Sequence, residues 1–253
     1  MERTRERHGD EYDERLSMAD DAQHAEGRDA EHSAVHDAQH GDLAGGTAGG
    51  VVGGHGPIDL APAADRLMQL IPAVEDGHLD DPTPCEGRTV RELLGHLLGL
   101  SLAFRAAAEK DLDTLTDTVP DQGGWPQASG DWRERLAEQL PALVTAWYPR
   151  EAWDGNTRVG GVDLPGEAAG VVALGELVLH GWDLARALHQ PYDCDAESAR
   201  VLGIYVEGFD RSGTPGMFGP ALDPADDADD FDRVLARTGR DPSWQRATAG
   251  QAS

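Results

Sequence analysis

Residues 166–188 carry the sequence GEAAGVVALGELVLHGWDLARAL, which has the length and the apolar spacing of a helix in a protein core. With Glu176 at zero on a helical wheel, His180 and Asp183 lie within about 80° of it, among alanines. A carboxylate inside a helical bundle is costly unless it is paired or bound to a metal. The stretch therefore predicts a core helix whose inner face holds three polar groups with a shared partner.

Amphipathic segments before and after this stretch predict the rest of the fold. Their periodicity places helices at about 58–74, 89–110, 131–147 and 196–209, with a short helix near 231–237. Thr89 and Glu92 form a capping-box pattern at the start of the second of these helices. A strand pattern is confined to the stretch near 156–164. We predict an all-α fold, a helical bundle with an additional C-terminal helix and a loop-rich tail.

Composition divides the chain into three parts. Residues 1–56 are rich in Asp, Glu, His, Ala and Gly and contain the tetrapeptide Asp-Ala-Gln-His twice. Such a segment buries too little apolar surface to offset its ordering entropy, so we predict a disordered extension, with an accessory metal-binding tail as the alternative. Residues 57–244 are the predicted folded domain and residues 245–253 a flexible tail. Met18 is an alternative start of the chain.

Charge and composition exclude several classes of partner. The 253 residues carry a formal net charge of −26, which repels phosphate backbones and anionic lipids, so we expect no nucleic acid partner. The sequence lacks both a long apolar run and an apolar secretion signal at its N-terminus, so we expect no membrane contact and a cytoplasmic location. Two cysteines, Cys85 and Cys194, cannot form a thiolate-rich zinc site alone, so any metal would rely on nitrogen and oxygen ligands.

Three residues form a candidate ligand set. Glu176 and His180 are spaced to chelate one ion from a single helix, although this spacing leaves a simple hydrogen-bonded pair equally open. His96 lies at the border of the apolar stripe of the helix at 89–110, where a histidine is more often a core residue than a ligand. Together they would make a site of two histidines and one carboxylate. Such a site suits Zn²⁺, with Ni²⁺, Mn²⁺ or Fe²⁺ as alternatives.

Residues near the candidate ligands allow further interpretations. Gly95 and Gly99 lack side chains and would admit a ligand or another helix beside His96. Asp183 could stand behind the ligands and orient one of them, or could hold Arg186 or Arg91; an ordinary surface ion pair is as good an explanation. Cys85 precedes a helix N-terminus, where the thiol pKa falls, so it could be a reactive thiolate or an extra ligand. We favour a small buried residue that fixes its loop. Trp132 and Trp182 are interpreted as packing residues.

Two stretches resemble a known family. Residues 81–97, DPTPCEGRTVRELLGHL, resemble the start of the bacterial mycothiol-dependent maleylpyruvate isomerase N-terminal family, within the DinB-like four-helix metalloproteins. Residues 175–186, GELVLHGWDLAR, resemble its second signature. Residues 218–220 and 238–242 are similar to the C-terminal end of one metal-binding subgroup. The resemblance spans residues 57–244 and implies a DinB-like four-helix bundle.

The resemblance also implies a site and an activity. It assigns His96, Glu176 and His180 as ligands of one divalent metal, mycothiol as a thiol cofactor, and an isomerase or S-transferase reaction on a small electrophile. Arg88 stands where a Trp is common and Gly95 where an Asn often precedes the His, which weakens inferences about the substrate more than those about the metal. A small-molecule substrate or thiol is the expected partner, and a homodimer is left open. A metal-binding or sensing protein without turnover is the main alternative, and a purely structural bundle is a third.

Overall fold

The structure is a computed structural model, and it describes residues 57–118 and 127–246. In these two ranges the chain forms eight α-helices and one hairpin. The helices are α1 (Ala61–Leu70), α2 (Val90–Glu109), α3 (Thr114–Asp117), α4 (Trp132–Trp147), α5 (Arg150–Trp153), α6 (Gly166–Ala187), α7 (Ala196–Val206) and α8 (Asp230–Arg237). Antiparallel strands β1 (Asn156–Val159) and β2 (Val162–Pro165) form the hairpin. The predicted extension at 1–56 and the end of the predicted tail, 247–253, lie outside the described residues.

Four long helices make the bundle. Helix α2 packs against α4 and α6, and α1 packs against the same two helices from the other side. Helix α7 lies against α6 and carries α8 on its outer face. The all-α prediction, with an additional C-terminal helix, is therefore confirmed, and the hairpin falls where the sequence confined its strand pattern. Fully buried leucines fill the centre of the bundle, among them Leu67, Leu93, Leu136, Leu174 and Leu184.

The start of α2 follows from local sequence. The Thr89 hydroxyl accepts a hydrogen bond from the Glu92 amide, and a Glu92 carboxylate oxygen accepts one from the Thr89 amide at 2.9 Å. This reciprocal pair satisfies two amides that a helix N-terminus leaves without partners. The predicted capping box is confirmed, and it fixes where along the bundle His96 will lie.

Helix α6 is the core helix of the domain. By length and composition it could cross a membrane, but 89% of its most apolar window is buried inside the described protein. Its apolar character is thus accounted for by packing. Near its start, a Cβ on Gly170 would lie 2.3 Å from Cζ3 of Trp153, so only a glycine lets the indole pack this closely against the helix.

The expectation for Gly99 is wrong. Gly99 is exposed, and a Cβ built there would meet nothing within 4 Å. It therefore admits neither a ligand nor a neighbouring helix. Gly95 is buried, as expected for a residue beside His96 on the inner side of α2.

These two helical glycines give opposite predictions for a change to alanine. Gly99→Ala should raise the free energy of unfolding by up to about 1 kcal/mol, because alanine is the better helix former and the site is open. Gly170→Ala should lower it by roughly 1–3 kcal/mol, because the methyl group collides with Trp153. Urea unfolding followed by circular dichroism measures both values. Equal stabilisation by the two changes would contradict the packing of Trp153 on α6.

Candidate metal centre

Three predicted ligands converge where α2 packs against α6. Oε2 of Glu176 lies 3.0 Å from Nε2 of His180 and 3.5 Å from Nε2 of His96. The two imidazole rings meet edge to face, with centroids 5.0 Å apart. Both histidines are buried at 7% exposure, so His96 does face the bundle interior. The structure thus brings together the three residues that the sequence singled out, and their role as metal ligands stays a prediction.

The donor atoms of this trio fit a divalent ion. One ligand atom from each residue lies within 4.8 Å of the other two. An ion with bonds of about 2.1 Å places neighbouring donors roughly 3.0–3.4 Å apart. The side chain of Glu176 is 28% exposed, yet its Oε2 is inaccessible, and the two imidazole nitrogens face it at 3.0 and 3.5 Å. A buried carboxylate oxygen is costly unless it is paired, and either a protonated imidazole or a metal cation would pair with it.

Electrostatic coupling supports charged forms at this site. Burial alone would raise the pKa of Glu176, but the imidazoles of His180 and His96 hold that pKa well below its usual range. Burial alone would lower the pKa of His180, but Asp183 and Glu176 outweigh it and raise the pKa to about 9. In the metal-free protein a proton on His180 therefore balances Glu176. A metal ion would take the place of that proton.

Asp183 stands behind His180, and its partner differs from those expected. Its carboxylate is fully buried, and Oδ2 lies 3.0 Å from Nδ1 of His180. Arg240 donates from Nε to Oδ1 at 3.0 Å and from Nη2 to Oδ2 at 2.9 Å. Arg186 instead donates to the carbonyl of Trp244, and Arg91 donates to Asp80. The prediction that Asp183 holds Arg186 or Arg91 is wrong.

Arg240 was missed because it lies 57 residues after Asp183, in a segment predicted to be mostly loop. The only sequence signal near it is the stretch TGRDP at 238–242, which resembles a subgroup feature and carries no role by itself. Burial raises and Arg240 lowers the pKa of Asp183, and the net effect is a lowered pKa. Asp183 is therefore a carboxylate that accepts hydrogen bonds from both neighbours.

Cys85 lies beside the site, in surroundings that favour its neutral thiol. Its carbonyl accepts hydrogen bonds from the Thr83 hydroxyl at 3.2 Å and from the Arg88 amide at 3.0 Å, which agrees with a residue that fixes its loop. Burial, followed by the charge of Asp183, raises the pKa of the Cys85 thiol to about 12. The raised pKa disfavours the reactive-thiolate interpretation for the metal-free protein. Its sulphur still lies within 4.8 Å of ligand atoms of His180 and Asp183.

A cavity of about 330 Å³ opens onto the trio. One wall comes from the loop before α2, with Cys85, Glu86 and Arg88. Tyr205 and Phe218, from the C-terminal part of the chain, also line the cavity. Trp132 and Trp182 are buried and do not line the cavity, as expected for packing residues.

Comparison with known proteins finds a matching family model. The family model for the mycothiol maleylpyruvate isomerase N-terminal domain matches residues 60–185. Two solved structures are similar, the mycothiol-dependent maleylpyruvate isomerase and a histidine-to-alanine mutant of it, at 14% and 13% identity and a TM-score of 0.43 each. Each match covers 58% of this chain and 66% of the other chain. No curated protein matches the chain.

The residues that match the family model account for part of the site. His96, Glu176, His180 and Asp183 all fall within the matched residues. Tyr205, Phe218 and Arg240, which complete the cavity and the hydrogen-bond chain, lie after residue 185. The site is therefore built from the family domain together with the segment that follows it.

The raised thiol pKa values predict slow alkylation of the native protein. Burial raises the pKa of Cys85 and of Cys194 to about 12, from 9.0. The thiolate fraction at pH 8 should then fall roughly a thousandfold. We expect both cysteines to react with iodoacetamide at least tenfold more slowly than in urea-unfolded protein, as measured by peptide mass spectrometry. A native Cys85 that reacts at the unfolded rate would show that the loop does not bury its thiol.

Proposed function

We propose that this protein is a divalent-metal enzyme that uses a low-molecular-weight thiol, mycothiol, in an isomerase or S-transferase reaction on a small electrophile. The observation that carries the proposal is the buried Oε2 of Glu176, which lies between Nε2 of His96 and Nε2 of His180 at the floor of a cavity. The match to the mycothiol maleylpyruvate isomerase N-terminal family model supports the choice of thiol.

The donor set favours a catalytic metal over a closed structural one. Two imidazole nitrogens and a carboxylate leave coordination positions open, and this set suits Zn²⁺, with Ni²⁺, Mn²⁺ or Fe²⁺ as alternatives. When bound, such an ion would stabilise the thiolate form of a cofactor thiol at neutral pH. In the metal-free protein, burial raises the pKa of the nearby Cys85 thiol to about 12 and so favours its neutral form.

The surrounding residues orient and enclose the reactants. Asp183 accepts a hydrogen bond from Nδ1 of His180 and so leaves Nε2 directed at Glu176. Tyr205 and Phe218 supply an apolar wall, and Glu86 and Arg88 a polar one. A cavity of about 330 Å³ lies at the small end of ligand pockets, which favours a small substrate. Polar groups on one wall and apolar groups on the other suit a short polar electrophile.

Elemental analysis of untagged protein tests the metal. We expect about one divalent ion per wild-type chain, and a metal affinity weaker by on the order of a hundredfold or more in Glu176→Ala and His96→Ala, since each loses a direct ligand. His189→Asn is the matched control, because His189 is an exposed histidine whose left-handed backbone an asparagine tolerates. If wild-type protein holds no more metal than the background level after exposure to saturating Zn²⁺, the remaining hypothesis is a purely structural bundle.

Thiol turnover separates the enzyme from a metal-binding protein without activity. We expect Zn²⁺-loaded protein to accelerate the reaction of mycothiol with an electrophile, with maleylpyruvate as the first substrate tested and glutathione as the control thiol. Glu176→Gln should lower the rate at least tenfold, because it removes the carboxylate charge that faces the ion. Isomerisation would leave the thiol concentration unchanged, whereas S-transfer would consume one thiol per product. If the metal site is fully occupied but neither isomerisation nor S-transfer is accelerated, the result would favour a metal-binding or sensing protein without turnover.

A further inference from the structure

Arg240 contacts Asp183 beside the candidate metal centre, although it lies outside residues 60–185, the range that matches the family model. It follows α8, and its guanidinium is buried against Asp183 in the bundle core. Arg240 is 9% exposed and Asp183 is fully buried. A buried ion pair of this kind contributes little net stability compared with apolar packing, because both ions lose their hydration. Its position next to a candidate ligand therefore suggests a role beyond holding the fold.

The way the chain turns after helix α8 determines where Arg240 lies. Helix α8 ends at Arg237, and Gly239, two residues further on, has φ +80°. The Gly239 amide donates to the carbonyl of Ala236, and the Arg240 amide donates to that of Leu235 at 2.8 Å. These two bonds make a Schellman motif, which turns the chain sharply after the helix. A Cβ on Gly239 would lie 2.9 Å from the backbone of Gly219. Glycine is required there, and it directs the next residue, Arg240, inward.

The hydrogen bonds around Asp183 determine which ring nitrogen of His180 carries a proton. A guanidinium can only donate, so both carboxylate oxygens of Asp183 act as acceptors toward Arg240. Oδ2 is shared with Nδ1 of His180 at 3.0 Å, so this nitrogen must be the donor. In neutral His180 the remaining lone pair then lies on Nε2, which faces Oε2 of Glu176 at 3.0 Å. This is the nitrogen that a metal at the trio would use.

We propose that Arg240 is a positioning residue of the metal centre: it locks Asp183, which in turn holds the His180 ring with Nδ1 protonated and Nε2 directed at the metal position. The proposal rests on the proposed function for the identity of the metal site, but the Arg240–Asp183–His180 chain is present without an ion. The C-terminal segment thereby completes a site whose direct ligands all lie within residues 60–185.

A matched control exists in the same segment. Arg186 donates from Nε and Nη2 to the carbonyl of Trp244, at 3.1 and 2.8 Å, and so anchors the chain four residues beyond Arg240. No described contact of Arg186 reaches Asp183 or His180. Arg186→Gln should loosen the anchoring of the segment without altering the hydrogen bonds of His180. A comparison of the two arginines separates positioning of the ligand from attachment of the segment.

The first experiment measures Zn²⁺ affinity of the full chain by chelator competition. We expect Arg240→Gln to weaken binding by about 10–100-fold, as loss of a residue behind a ligand commonly does. Arg240→Lys should recover part of the loss, because it restores the charge without the two-pronged geometry. Arg186→Gln should stay within about threefold of the wild type. The proposal would be overturned if Arg240→Gln and Arg186→Gln weakened Zn²⁺ binding equally, or if neither Arg240 variant weakened it. In both cases the metal site itself would still stand.

The second experiment needs no metal. In metal-free protein labelled with ¹⁵N-histidine, the Nδ1 proton of His180 should give a slowly exchanging resonance, assigned by its loss in His180→Gln. Arg240→Lys should shift that resonance or speed its exchange, and Arg186→Gln should leave it unchanged. An unchanged resonance in Arg240→Lys would overturn the proposal even if Arg240→Gln failed to fold. If the wild type bound no Zn²⁺, the proposed function would fail, and this resonance alone would decide whether Arg240 positions His180.

Discussion

Glu176 places a carboxylate oxygen in the core of a helical bundle, within 3.5 Å of two imidazole nitrogens from two different helices. Because an isolated buried charge is costly, the packing of α2 against α6 depends on what balances this group. A proton on His180 serves in the metal-free protein, and a divalent ion would serve in its place. The requirement extends outward, since His180 is held by Asp183 and Asp183 is held by Arg240.

The segment after residue 185 supplies Arg240 to this chain of contacts and is itself held in place by them. The backbones of Gly239 and Gly219 lie so close together that a Cβ on Gly239 would be 2.9 Å from Gly219. That approach closes the cavity wall that holds Phe218 and turns Arg240 toward Asp183. Arg246 forms an ion pair with Asp81, at the loop that also lines the cavity. One stretch of chain therefore bounds the cavity and orients a ligand.

Helix positions and the Glu176–His180 pair could be predicted from local spacing, whereas His96 joined that pair only through the family resemblance. The periodicity around Glu176 places His180 and Asp183 on one face, and the capping box fixes the register that turns His96 inward. The partner of Asp183 could not be predicted, because Arg186 is the arginine at helical spacing from Asp183, whereas Arg240 is brought in only by the path of the chain after α7. Gly99 likewise shows that a glycine near a functional residue need not share its surroundings, because Gly99, three positions after His96 and about 60° around the helix, is already exposed to solvent.

Charge balance at the site bears on which reactant it accepts. Glu176 and Asp183 are both ionised, and Arg240 is the buried cation that faces them. With both histidines neutral, as metal ligands must be, a divalent ion would leave the cluster with one uncompensated positive charge. Glu86 and Arg88 on the cavity wall carry opposite charges and do not remove it. A buried cluster with one excess positive charge favours a monoanionic ligand. Under the proposed function the thiolate form of a small thiol would supply that charge, with the thiol proton released to solvent.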